Sequence, residues 1–206
     1  MDSVSEVPLP ARAGVRPAMQ KRSQATLARI LRAAHRLIAA SELDAVSVAD
    51  IVAAAKCSVG AFYTRFENKE ALFLAVVDDM LARGRRRLDT AYARAADEDV
   101  IDTAVHEALE GCRVNAGILR SAIKLGLSEP RVWAPIRDYG QENAGRLYAR
   151  LRQFSSVDET RLRFAFQVLH GSVLNTLLHD PGPLRLGTPA FAAELTRVFR
   201  LVLRAD

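Results

Sequence analysis

Cysteine is scarce in this chain. Its 206 residues include two, Cys57 and Cys112, with no C-x-x-C pair and no spacing that suits a metal. That excludes a disulfide framework and the usual zinc modules, and it fits a reducing compartment. Long apolar runs are missing as well: none approaches the roughly 18 residues that a bilayer span requires. The opening MDSVSEVPLPARAG has acids and prolines where a secretory leader has basic and then apolar residues. A cytoplasmic protein with no membrane partner is therefore expected. Nowhere do apolar and polar residues alternate as in a half-buried strand. Common catalytic signatures are absent too: G-x-S-x-G, G-x-G-x-x-G, the P-loop and H-E-x-x-H. Neither an enzyme nor a bound cofactor or metal is expected. Residues 1–20 read as a disordered arm.

The residues that are present suit a helical protein. Half are apolar and 26% are charged, ordinary for a globular chain long enough to bury its own core. The net charge of +5 is unevenly placed. Residues 12–69 carry ten Lys or Arg against four Asp or Glu, whereas residues 70–206 carry nineteen against eighteen. A basic head on a nearly neutral body is the electrostatic footprint of a nucleic-acid binder, or simply a solvated basic face.

Apolar residues recur at helical spacing almost throughout, and about nine helices are expected. The first spans about 23–40, with Leu27, Ile30, Leu31, Ala34, Leu37 and Ile38 on one face and Arg29, Arg32 and Arg36 on another. Ser47-Val48-Ala49-Asp50 is a capping-box pattern that opens a second. After the break Ala55-Lys56-Cys57, Ser58 is a suitable N-cap for a very short third helix, Val59 to Phe66. Asn68 caps a long fourth helix that reaches about Ala95. Further helices are expected over about 97–115, 118–127, 131–154, 159–179 and 189–204, with any Pro135 inside a helix confined to its first turn. The expected division is an arm at 1–20, a DNA-binding head at 21–70 and a helical body at 71–206.

The segment SVADIVAAAKCSVGAFYTRFENKEAL, residues 47–72, is the informative part. Two helices joined by so short a break can cross steeply, as in a helix-turn-helix. The third helix offers Ser58, Val59, Gly60, Ala61 and Thr64 outward, while Phe62 and Phe66, four apart, anchor it. Small residues let a backbone approach a major groove closely. Tyr63, Ser58 and Lys69 have the chemistry for phosphate oxygens, or are ordinary surface residues.

In these residues the chain resembles the tetracycline-repressor (TetR) family of bacterial regulators. The resemblance rests on Ser47-Val48-Ala49-Asp50-Ile51, Ser58-Val59-Gly60-Ala61-Phe62-Tyr63, Phe66 and Asn68-Lys69-Glu70-Ala71-Leu72. It covers about residues 23–75. Two positions depart: Lys56 stands where the family usually has a turn glycine, and Val52 where it usually has alanine. A non-glycine residue at positive φ costs on the order of 1 kcal/mol.

The resemblance implies an all-α protein: a three-helix DNA-binding head on a larger ligand-binding and dimerisation body. It implies a regulator bound to a double-stranded DNA operator in the bacterial cytoplasm at the nucleoid. That regulator is a repressor released by a small, mostly apolar effector, or an activator or DNA-organising protein with the same head. Val59, Ala61, Thr64 and Arg65 become candidates for base edges, with Arg65 able to bind guanine through two hydrogen bonds. Ser47, Ser58, Gly60 through its N–H, Tyr63 and Lys69 become candidates for phosphates. An effector pocket is implied in the body, for which Trp133, Tyr139, Asn143, Phe166 and His170 are candidates; core packing is the alternative for each.

The last two helices are apolar around much of their circumference, so they need partners on two sides. A homodimer follows, and by resemblance a two-fold four-helix bundle, with Val173, Leu177, Phe199 and Leu203 as candidate contacts. His106 and Glu110 have a spacing that can hold metal, but two ligands without a third read as a surface pair. Cys57 reads as a small buried residue in a tight turn, or as a thiol sensor.

Overall fold

In the computed structural model, residues 21–204 are described, and they form nine α-helices and one 3-10 turn with no strand. The expected arm, residues 1–20, lies outside the described residues. The helices are α1 (Lys21–Ala40), α2 (Val48–Ala54), α3 (Val59–Tyr63), α4 (Lys69–Arg94), α5 (Val100–Val114), α6 (Ala116–Gly126), α7 (Pro130–Leu151), α8 (Glu159–His179) and α9 (Pro189–Arg204). The all-α class and the helix count follow the sequence pattern.

Local chemistry sets most helix starts. The Ser47 Oγ accepts from the Asp50 amide at 3.1 Å, and an Asp50 carboxylate oxygen accepts from the Ser47 amide at 3.0 Å, closing the capping box. The Ser47 hydroxyl, donating to the Asp50 carboxylate at 2.6 Å, and next the Ser47 amide hold that carboxyl below its ordinary pKa. Ser58 caps α3 through the Ala61 amide at 3.1 Å, Asn68 caps α4 through Ala71, and Asp158 caps α8 through Arg161. Proline behaves differently from expectation in α7. Pro130 takes the first helical position, and Pro135 lies one turn deeper, inside the helix. It supplies no amide for the Arg131 carbonyl, a helix-weakening arrangement.

The chain divides into two compact units, the first ending at Ala82 and the second beginning at Arg83. The division falls within α4, not at the expected 70/71. The reason is burial: Ala71, Leu72, Phe73, Leu74, Ala75, Val76 and Val77 are all buried, so this stretch is hidden around its whole circumference. Such a segment belongs to a core. It joins Ile30, Ala34, Ile38, Ile51, Phe62 and Phe66 among the buried residues of the first unit. Each of these large side chains contributes roughly 1.5–3 kcal/mol by leaving water.

The second unit has its own core. Val100, Val105 and Leu109 of α5, Leu147 and Leu151 of α7, Leu162, Phe166, Leu169 and Val173 of α8, and Phe191, Leu195 and Phe199 of α9 meet in one cluster. Phe166 and Phe199 stack edge to face, with centroids 5.2 Å apart.

Lys56, in the turn between α2 and α3, adopts φ 51°, the left-handed region. Its side chain is exposed, so strain is the main consequence of a side chain there. Lys56→Gly is expected to stabilise the protein by about 0.5–1 kcal/mol. Chemical denaturation checks it, and a loss of stability would contradict it.

Candidate functional site

The turn between α2 and α3 occupies four residues, Ala55 to Ser58. The Ala55 amide donates to the Ile51 carbonyl at 2.8 Å and the Cys57 amide to the Val52 carbonyl at 3.0 Å, so the chain reverses tightly. Ala55 is buried and Cys57 half-buried. Phe62 and Phe66 are fully buried, their rings 5.5 Å apart, and they fix the inner side of α3. The outer side is left open. Val59 and Tyr63 are each 50% exposed, unusual for side chains of their size on a helix of five residues. Ser58, Gly60 and Thr64 are exposed beside them, and Ala61 is half-buried. The Thr64 hydroxyl donates to the Gly60 carbonyl at 2.7 Å. Ser47 is exposed at the start of α2, its hydroxyl donating to Asp50 at 2.6 Å.

Two expected contact residues are placed differently. Arg65 is only 8% exposed. Its guanidinium donates to the Ala61 carbonyl at 2.7 Å, and to the Ser23 carbonyl and hydroxyl at 3.1 and 2.8 Å. Both terminal nitrogens are thus committed to tying the end of α3 to the start of α1, and no edge is free for a guanine. Lys69 is half-buried, and its Nζ donates to the Leu43 and Val46 carbonyls at 3.1 and 3.3 Å. It closes the loop before α2. A signal existed for each. An arginine just past a short helix is placed to bond that helix's last carbonyls. A lysine at the first position of a helix is at the unfavourable end of the dipole, which points to acceptors nearby. Among the residues of the first unit whose side chains are described, the exposed cations are instead Arg29, Arg32 and Arg36 on α1 and Lys56 in the turn.

The body candidates gather unevenly. Trp133 packs over Gly126, where a methyl would lie 2.9 Å from its Cβ. Phe166 is buried in the core, and His170 stands beside it with ring centroids 5.8 Å apart. Burial keeps the His170 pKa below its ordinary value, so the ring is neutral at pH 7. Asn143 is buried, and its Oδ1 accepts from the Tyr92 hydroxyl at 2.8 Å. Tyr139 lies under the Arg85 guanidinium at 5.6 Å. An open cleft of about 370 Å³ is lined by Tyr92, Ala93, Arg146, Ala149, Arg150 and Gln153, none of them an expected site residue. Glu110 is held by Arg113 through two hydrogen bonds of 2.7 Å rather than paired with His106.

Residues 30–76 match the family model described as bacterial regulatory proteins, tetR family. The match covers the head of the chain, where the resemblance to that family lies. The HTH-type transcriptional regulator YvdT of Bacillus subtilis is 34% identical over 93 residues. That match spans 43% of the present chain and 46% of the relative, so the chain covers about half the length of the curated relative it matches. Solved structures extend the likeness of fold to the body. A TetR transcription regulator of Haloarcula marismortui superposes with a TM-score of 0.71 at 14% identity, covering 87% of this chain and 97% of that one. Salmonella enterica GusR gives 0.60 at 21% identity, covering 87% and 96%.

In the body the expected dimer contacts are placed differently. Val173, Leu177 and Phe199 are buried, Val173 and Phe199 within the body's own core cluster, and Leu203 packs against that cluster. They are already covered without a second chain. The apolar side chains left open on α8 and α9 are Phe164, Leu178 and Leu201, which are 52%, 40% and 54% exposed. Gly171 lies on α8 between the first two, with open space around the position of a Cβ.

Proposed function

We propose that this protein is a DNA-binding transcriptional repressor that acts as a homodimer on a palindromic operator. A small, mostly apolar molecule bound in its helical body releases it. The observation that carries this reading is the outer side of α3, where Val59 and Tyr63 are half exposed while Phe62 and Phe66 hold the helix from behind. Single apolar side chains on a surface are common, but here they share a five-residue helix with Gly60 and Ala61. A helix so trimmed can enter a major groove closely.

Val59, Ala61 and Thr64 then face base edges, the first two suited to a thymine methyl. Ser47, Ser58, Tyr63 and the Gly60 amide face phosphates. Arg65 and Lys69 act as positioning residues that hold α3 and the loop before α2. Electrostatic attraction comes from Lys56, Arg29, Arg32 and Arg36, all exposed.

The second copy docks on the outer side of α8 and α9, at Phe164, Leu178 and Leu201. Two-fold pairing places two reading helices on half-sites about one helical turn, or a multiple, apart. Residues 69–94 form one continuous helix that contributes to both units. A ligand that prefers one placement of its body end opposes DNA that prefers another, and each weakens the other's binding equally. The protein acts at the bacterial nucleoid, in the cytoplasm.

Gel-shift titrations with DNA from upstream of its own gene test the reading face. Tyr63→Ala is expected to weaken binding to every duplex by about tenfold, as loss of one charge-assisted hydrogen bond. Val59→Ala is expected to change the preference among sequences at one position. Binding unchanged in both variants would remove α3 as the reading helix.

A further inference from the structure

Among the described residues, two that are not glycine have positive φ: Lys56 at 51° and Asp180 at 42°. Asp180 has a local reason. It ends α8, where its amide donates to the Thr176 carbonyl at 3.1 Å, and its carboxylate pairs with Arg185. Aspartate is also one of the few side chains that enter this region at low cost. Lysine is not, and Lys56 has no such compensation. Its side chain is exposed and makes no hydrogen bond or ion pair among the described residues. For the fold alone this lysine is a cost. Strained backbone of this kind persists mainly where function requires it.

The charges point to the same residue. The stretch from Ile51 to Phe66 holds most of α2, the turn and α3, and it carries two charged side chains, Lys56 and Arg65. Arg65 is buried and committed to oxygens of Ala61 and Ser23. Lys69, just beyond, is committed to the Leu43 and Val46 carbonyls. Lys56 is therefore the one exposed charge of the stretch, two residues before Ser58, which caps α3. No carboxylate lies within the stretch to neutralise it. An ammonium on a flexible four-carbon stem, with three donors, suits a phosphate oxygen.

We propose that Lys56 is the phosphate clamp of the reading helix. Its ammonium bonds one backbone phosphate in each half-site, and the strain of its left-handed backbone is retained for that contact. This rests on the reading of α3 as the DNA-reading helix. It goes beyond the general attraction of an exposed cation, because it names a contact at a fixed phosphate.

Anisotropy titrations of the full chain test it, on the duplex from upstream of its own gene and on an unrelated duplex of equal length, from about 50 to 300 mM salt. Lys56→Gln keeps the left-handed backbone and removes the charge. It is expected to flatten the salt slope by about one unit and, near 0.1 M salt, to weaken both duplexes about tenfold. Lys56→Arg is expected to retain the slope. Lys56→Gly is expected to raise Tm by about 1–4 °C and to lose the same factor in affinity, so stability and binding move in opposite directions. Ethylation of the clamped phosphate is expected to interfere with binding of the unaltered protein and not with that of Lys56→Gln. Arg152→Gln removes an exposed charge from the second unit and is expected to leave the slope unchanged. An unchanged slope in Lys56→Gln, an equal loss in Arg152→Gln, or a stabilised Lys56→Gly that binds as tightly as before would overturn the proposal. If Lys56→Gln binds unchanged while Tyr63→Ala and Val59→Ala are impaired, the clamp falls and the reading of α3 stands.

Discussion

Arg65→Ala is expected to destabilise the first unit by about 2–3 kcal/mol, although the residue is one that a sequence reading assigns to guanine. Its guanidinium makes three hydrogen bonds, two of them to Ser23, and the side chain is 8% exposed. Hydrogen bonds from a charged group are worth about 1.5–3 kcal/mol each at most, and truncation leaves the Ser23 and Ala61 carbonyls to find water. Arg65→Lys should recover little, because a single ammonium cannot span both carbonyls as the planar fork does. DNA affinity should fall uniformly across sequences, as α3 loses its tie to α1, with the preference for particular bases intact. Hydrogen exchange of the α1 and α3 amides, together with anisotropy titrations on matched and mismatched duplexes, checks both parts. An undiminished stability with relaxed preference at one base pair would return Arg65 to the reading face.

The second large effect concerns the pairing of copies. Leu178→Glu combined with Leu201→Glu is expected to give a monomer and to lower operator affinity by at least about 100-fold. Both positions are open in the single chain, 40% and 54% exposed, so a carboxylate there costs the isolated fold little. Inside a dimer interface each would be an unpaired buried charge. Linking two half-site contacts raises affinity by about 10²–10⁴, and that gain disappears with the dimer. Leu127→Glu is the control: Leu127 is 87% exposed just past the end of α6, and its replacement should leave assembly unchanged. Light scattering and gel shifts report the two effects. A double variant that remains dimeric would move the interface elsewhere.

These two cases mark where the sequence was legible and where it was not. Caps are local, so Ser47, Ser58, Asn68 and Asp158 were readable from three or four neighbouring residues. The anchor pair Phe62 and Phe66 was readable from spacing alone. The partners of Arg65 were hidden, since Ser23 is 42 residues away along the chain. Helix α8 was ambiguous for another reason. Apolar residues lie on both its sides, so periodicity could not separate the inward Val173 and Leu177 from the outward Phe164 and Leu178. The extent of the head was underestimated because residues 71–77, being apolar in every direction, carry no face to read. In the body, Tyr139 and Asn143 were named only through the resemblance, and Tyr92, which holds Asn143, carried no signal of its own.

Footprinting of the intact protein on the DNA upstream of its own gene tests the central claim most directly. The expected result is protection of one palindromic site, two half-sites about one helical turn or a multiple apart, lost as salt rises because phosphate contacts release counterions. Protection with no sequence preference, or none at low salt, would contradict the assignment of α3 as a DNA-reading helix.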